Sequence, residues 1–117
     1  MSVSSINLLV LRSKNPSRLI GFYQALGLNF VLEKHGNGPE HHACAIGGAV
    51  LEIYPCKNDS SMTSETRLGF LVTSMSEALA NLPNDHEVVS PPKLSLWGLR
   101  CILKDPEGHR VELLEST

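Results

Sequence analysis

Two stretches decide the fold: GGAVLEIYP at residues 47–55 and DPEGHRVELLE at residues 105–115. In the first, Gly48 is followed four residues later by Glu52; in the second, Gly108 is followed four residues later by Glu112. Each is a turn that runs into an alternating strand, with the carboxylate set among apolar neighbours. The repeated offset suggests two halves that aim their carboxylates at one place.

Working outward from these hairpins, the chain divides into two similar runs of elements. SINLLVLRS (5–13) is rich in branched aliphatics and reads as a strand. Asn15-Pro16-Ser17 opens a helix, because Asn15 can cap and Pro16 suits the first helical position. Leu19, Ile20, Phe22, Tyr23 and Leu26 recur at helical spacing until Gly27 ends the pattern. Strands follow at 28–34, 41–46 and 49–55, the last two joined by Gly47-Gly48, a two-residue hairpin turn. A polar connector spans 57–65, and the order then repeats. The second run has a strand at 66–72, a helix capped by Thr73 or Ser74, a short strand at 86–90 and a loop over PPKLS. Strands at 96–104 and 109–115 close it around Asp105-Pro106-Glu107-Gly108. The expected architecture is α+β: two βαβββ modules, about 4–56 and about 65–116, in one domain covering 1–117, with a curved mixed sheet around a cleft.

Strand alternation assigns the faces. Val50, Glu52 and Tyr54 share one face, and Leu51 and Ile53 turn to the helices. The Gly47-Gly48 turn sets Ala43 opposite Glu52 and His41 opposite Tyr54. In the second half Arg110, Glu112 and Leu114 share a face, while Val111 and Leu113 face the helices. Pairing Lys104 with His109 places Cys101 opposite Glu112 and turns Leu99 and Trp97 the same way. The open face is therefore expected to gather Glu52, Glu112, Trp97 and an inward-facing His41. No second layer covers it, so it should form a cavity or an interface. Two inward carboxylates are costly there unless hydrated, paired or bound to a cation. His35, His86 and His109 stand at loops or strand ends and are expected at the surface.

The bulk numbers exclude several classes. The 117 residues are 42% hydrophobic and 19% charged, with a net charge of −2. No basic block favours nucleic acid or an anionic membrane. No apolar run is long enough to span a bilayer, and the first residues lack a basic leader, so the expected location is cytoplasmic. Cys44, Cys56 and Cys101 form no CxxC pair and read as reduced thiols.

With NPSRLIGFYQALGL (15–28), GGAVLEIYP (47–55) and WGLRCILKDPEGHRVELLE (97–115) in place, the chain resembles the vicinal oxygen chelate superfamily. That group includes glyoxalase I, bleomycin-resistance proteins, extradiol dioxygenases, methylmalonyl-CoA epimerases and fosfomycin-resistance proteins. The resemblance implies paired βαβββ modules around a cleft, usually in a homodimer. It also implies metal ligands on the first and last strand of each module. The last-strand positions fall on Glu52 and Glu112. The first-strand positions fall on Leu8, which has no donor atom, and on Arg67, which is permanently cationic. The departure favours a metal-free protein that binds a small organic molecule, with no nucleic-acid or membrane partner. Its cleft would be charge-compensated: Glu52 and Glu112 are the candidate catalytic pair, and Arg67, Trp97, Tyr54 and His41 the candidate ligand contacts. The alternative is a divalent-metal-dependent lyase, isomerase or dioxygenase with Glu52 and Glu112 as ligands.

Overall fold

A computed structural model describes residues 2–59, 62–84 and 86–116; the connector reading at Ser60 and Ser61 falls outside them. The first half runs β1 (Leu8–Ser13), α1 (Pro16–Ala25), β2 (Val31–Glu33), β3 (His41–Ile46) and β4 (Ala49–Pro55). The second runs β5 (Arg67–Val72), α2 (Met75–Ala80), β6 (Glu87–Ser95), β7 (Gly98–Lys104) and β8 (Arg110–Glu115). This is βαβββ twice, an α+β fold. Each half makes a four-stranded mixed sheet, in the orders β1-β4-β3-β2 and β5-β8-β7-β6. The outer pairs β1/β4 and β5/β8 are parallel and the other neighbours antiparallel.

Local chemistry explains the element ends. The Asn15 side chain accepts a hydrogen bond from the Arg18 N–H at 3.3 Å, capping α1, and Pro16 occupies its first turn. Gly27, with φ +102°, lets the chain leave α1 in the left-handed region. Ser74 caps α2 in the same way by accepting from the Glu77 N–H at 3.2 Å. The helices cover one face of each sheet. Leu19, Ile20, Phe22 and Tyr23 from α1 join Leu11, Leu51 and Ile53 in the core, and Leu68, Leu103, Val111 and Leu113 supply the second sheet's share. Cys44 and Cys101 are buried in this core, and burial pushes the Cys101 thiol pKa up, so it stays protonated and inert.

Two strand expectations are corrected. PPKLS is not a loop: β6 continues through Pro91 and Pro92 to Ser95, with register breaks between Val88 and Ser90 and between Ser90 and Lys93. An edge strand tolerates prolines because its outer side needs no donors. The β7–β8 register is also one residue away from expectation. Lys104 pairs with Arg110, so Cys101 lies opposite Leu113 in the core, and Ile102 lies opposite Glu112. A one-residue slip exchanges the faces of a strand. The open face of β7 is therefore Arg100, Ile102 and Lys104.

The cause of the slip is a fifth turn residue. The Asp105 carboxylate accepts from the backbone N–H groups of Glu107 and His109, both at 3.0 Å, and from His109 Nδ1 at 2.8 Å. It also accepts from the Tyr23 hydroxyl of α1 at 2.6 Å. His109, expected at the surface, is fully buried. Its Nε2 lies 2.7 Å from Thr63 Oγ1, which in turn accepts from the Arg12 N–H at 3.0 Å. Glu107 reaches Ser13 Oγ at the end of β1. The turn thus brackets α1, β1 and the inter-module connector onto the second sheet.

The Tyr23 hydroxyl is buried beside the Asp105 carboxylate, and desolvation first, then that charge and hydrogen bond, raise its pKa well above the usual 10.0. The sign follows from linkage. Above the ordinary tyrosine pKa the unfolded chain releases this proton while the folded chain keeps it, so stability falls as pH rises. Urea unfolding of the wild type should weaken progressively above about pH 10, the ordinary tyrosine pKa. Tyr23→Phe should flatten that alkaline decline; an equally steep decline in the variant would exclude Tyr23 as its source.

Candidate functional site

The open faces carry the polar chemistry. On the first sheet, register puts Leu8, Val10 and Arg12 of β1 beside Val50, Glu52 and Tyr54 of β4. Ala43 lies opposite Glu52, and Glu33 of β2 opposite His41 of β3. His41 turns inward and is only 2% exposed. Its ring stacks on Tyr54 with centroids 4.2 Å apart and planes at 10°. The Arg12 guanidinium lies 5.7 Å from the Tyr54 ring centre. His41 Nε2 sits 3.2 Å from a Glu52 oxygen and 3.4 Å from a Glu33 oxygen. The loop after β2 brings His35 over this group, its ring centroid 5.1 Å from that of His41.

On the second sheet, Arg67 and Arg110 are cross-strand neighbours, as are Gly69 and Glu112. The Glu112 carboxylate is paired by Arg100 of β7. Arg67, a candidate ligand contact, makes no ion pair among the described residues. It lines a hollow of about 300 Å³ with Ser64, Glu65, Lys104, Gly108 and Arg110. Trp97 lies in the β6–β7 turn, 68% exposed, held where its N–H donates to Ser95 Oγ at 3.2 Å. With Arg100, Glu112 and Leu114 it walls a depression of about 330 Å³. A larger hollow of about 400 Å³ runs between the end of α1 and the start of α2. Glu52, Glu112, Arg67, Trp97, Tyr54 and His41 do not border it.

The structure therefore groups the candidates in two places. Glu52, His41 and Tyr54 come together on the first sheet, and Glu112 and Trp97 on the second. No interaction joins Glu52 to Glu112 among the described residues. Three participants were not singled out from sequence. Arg100 was hidden by the register of β7. Glu33 ends β2 and His35 lies in the loop that follows; pairing Glu33 with His41 across that hairpin is the signal that would have found Glu33.

The family's usual metal positions do not fit an ion here. Val10 is the residue opposite Glu52, Leu8 stands one pair further along the same face, and neither has a donor atom. Arg67 is a cation, and Glu112 is already paired with Arg100. The first-sheet group is different: Glu33, His35, His41 and Glu52 place four possible ligand atoms within 4.8 Å of one another.

Comparison with known proteins agrees with the topology. The sequence profile of the Glyoxalase/Bleomycin resistance protein/Dioxygenase superfamily matches residues 5–113, and the chain belongs to that superfamily. Among curated proteins no match is found. An antibiotic-binding protein, TnmS3, from Streptomyces sp. CB03234 superposes with a TM-score of 0.75 at 19% identity, over 100% of this chain and 99% of the other. A putative glyoxalase family protein from Bacillus anthracis gives 0.76 at 17% identity, over 100% and 98%. A glyoxalase/bleomycin resistance protein from the same Streptomyces strain gives 0.70 at 19% identity, over 95% and 100%. At these identities the likeness is one of fold. No helix among the described residues is long and apolar enough to cross a membrane.

Proposed function

We propose that the protein binds a small, flat organic molecule on the open face of its second sheet, without a metal at the family's usual positions. The observation that carries this is the depression walled by Trp97, Arg100, Glu112 and Leu114. Glu112 and Arg100 neutralise each other, so the hollow asks for no charged ligand. Trp97 offers an exposed aromatic face and Leu114 an apolar floor, which suits a planar, largely uncharged ring system. The fold shared with an antibiotic-binding protein supports the same ligand class. The ion pair also stands where a metal-dependent lyase, isomerase or dioxygenase would need a free carboxylate.

A homodimer is part of this reading. The radius of gyration is 14.8 Å, against about 13 Å for a compact chain of this length. Leu71, on the same open face, is exposed, as are Leu94 and Leu96 beside Trp97. A second copy would cover these residues and deepen the depression into a cleft. A cytoplasmic location fits the three unpaired thiols.

Trp97 is the only tryptophan, so its fluorescence reports on the site directly. Titration with a panel of planar aromatic antibiotics should produce saturable quenching by at least one member. Calorimetry with that compound should show Trp97→Ala binding about 5- to 10-fold more weakly, the equivalent of roughly 1 kcal/mol of stacking. Sedimentation of the same samples should give a dimer. Absence of quenching across the panel, or unchanged affinity in Trp97→Ala, would remove the reading.

A further inference from the structure

We propose that Glu33, His35, His41 and Glu52 form a four-donor site for a divalent transition-metal ion of zinc type. The site lies wholly on the first sheet and shares only Glu52 with the ligand positions its family uses.

The argument begins with the protons of His41. Its Nδ1 lies 3.3 Å from the Pro39 carbonyl oxygen, which can only accept, so Nδ1 carries the hydrogen. In the neutral ring Nε2 then presents a lone pair. That atom is buried and makes no hydrogen bond among the described residues. It nevertheless lies 3.2 Å from Glu52 and 3.4 Å from Glu33, close enough to each carboxylate but without hydrogen-bonding geometry to either. A buried lone pair facing two anionic acceptors is unfavourable unless a proton or a metal cation sits between them. A histidine whose Nδ1–H is fixed by a backbone carbonyl while Nε2 points at carboxylates is the arrangement that orients an imidazole for metal.

The remaining donors complete a shell. His35 Nε2 lies 3.4 Å from the Glu33 oxygen, and all four donor atoms fall within 4.8 Å of one another. Ligands held ~2.0–2.1 Å from a zinc ion at the corners of a tetrahedron stand about 3.4 Å apart. Three of the six donor separations, 3.2, 3.4 and 3.4 Å, match that edge, and the remaining ones lie within 4.8 Å. Two imidazoles with two carboxylates are a mixed nitrogen and oxygen set, which suits Zn²⁺ better than Mg²⁺ or Ca²⁺. A bound ion would tie the β2–β3 loop, through His35, onto the sheet that carries His41 and Glu52.

The test uses the untagged full chain, stripped with chelator and then titrated with Zn²⁺ or Co²⁺ alone. One ion per chain should bind, Co²⁺ should show the intense visible band of tetrahedral coordination, and Zn²⁺ should raise Tm. His35 is 70% exposed and Glu33 is partly exposed, so His35→Ala and Glu33→Gln should leave the metal-free melting temperature unchanged. Each should weaken Zn²⁺ binding at least tenfold. Glu112→Gln, on the other sheet, should bind Zn²⁺ like the wild type, which keeps this result separate from the ligand titration above. No saturable binding at micromolar Zn²⁺, an octahedral Co²⁺ spectrum, or affinity unchanged by both first-sheet variants would each overturn the proposal.

Discussion

Asp105→Ala is expected to lower the unfolding free energy by about 3–5 kcal/mol, the usual loss when one partner of a buried charged network is removed. The carboxylate is the shared acceptor for the Tyr23 hydroxyl, His109 Nδ1–H and two backbone N–H groups. Alanine would leave three buried donors and the half-buried Glu107 N–H without this partner, and each buried group costs roughly 1–3 kcal/mol when nothing relaxes. A domain of this size has about 5–15 kcal/mol in total, so the variant should stand near the limit of folding. Asp105→Asn should lose less, because its amide oxygen can still accept from the turn's backbone. Urea unfolding of both variants checks the order. A loss below about 1 kcal/mol for alanine, the net worth of one ordinary hydrogen bond, would show that the bracket is not what holds the turn.

Gly98→Ala should be of similar size for a different reason. Gly98 opens β7 with φ +132°, a region almost closed to other residues. An added Cβ would sit 2.3 Å from the Glu115 carbonyl oxygen and 3.2 Å from Ser116 Cα, both backbone atoms that cannot swing aside. Backbone strain of about 1–3 kcal/mol and overpacking of about 1–3 kcal/mol combine to roughly 2–6 kcal/mol. Glu115 also accepts from the Met75 N–H at the start of α2, at 3.2 Å, so displacing β8 would loosen that helix. The same movement shifts the turn that carries Trp97. Thermal melting should therefore show a large loss together with a changed Trp97 emission spectrum. A melting temperature within a few degrees of wild type would mean that the β7–β8 edge yields far more easily than its geometry implies.

Much of this molecule was legible in its sequence because the signals were local. Asn15-Pro16 and Gly27 mark α1, Gly47-Gly48 sets the β3–β4 register, and Ala43 does lie opposite Glu52. What escaped depended on tertiary contacts. Whether the turn after Lys104 holds four residues or five is decided by Asp105 drawing His109 into it, and that preference appears only once Tyr23 and Thr63 are in place. The face of β7 followed that error, so Arg100, which pairs with Glu112, was missed. Pro91-Pro92 argued for a loop, and only the edge position of β6 makes a strand there possible. Within the candidate sites, Glu52 and Glu112 stood out because a carboxylate among apolar neighbours is conspicuous. Glu33 and His35 did not, because a charged residue at a strand end and a histidine in a glycine-rich loop are ordinary on their own.

The irregular course of β6 bears on how the two sheets can grow. Each sheet has two outer strands, β1 and β2 in the first, β5 and β6 in the second. β2 offers only three residues, and β6 carries Pro91, Pro92, Lys93 and two breaks in register. Both are poor templates for another strand, which is how proteins keep sheet edges from sticking to one another. β1 and β5 are six residues each, without proline and regularly paired along their inner sides. Strand addition is thus disfavoured on the far side of each sheet and better accommodated where the two repeats begin, with the Arg12 N–H of β1 already taken by Thr63 Oγ1. A continuous sheet built from this chain would join most readily through β1 and β5.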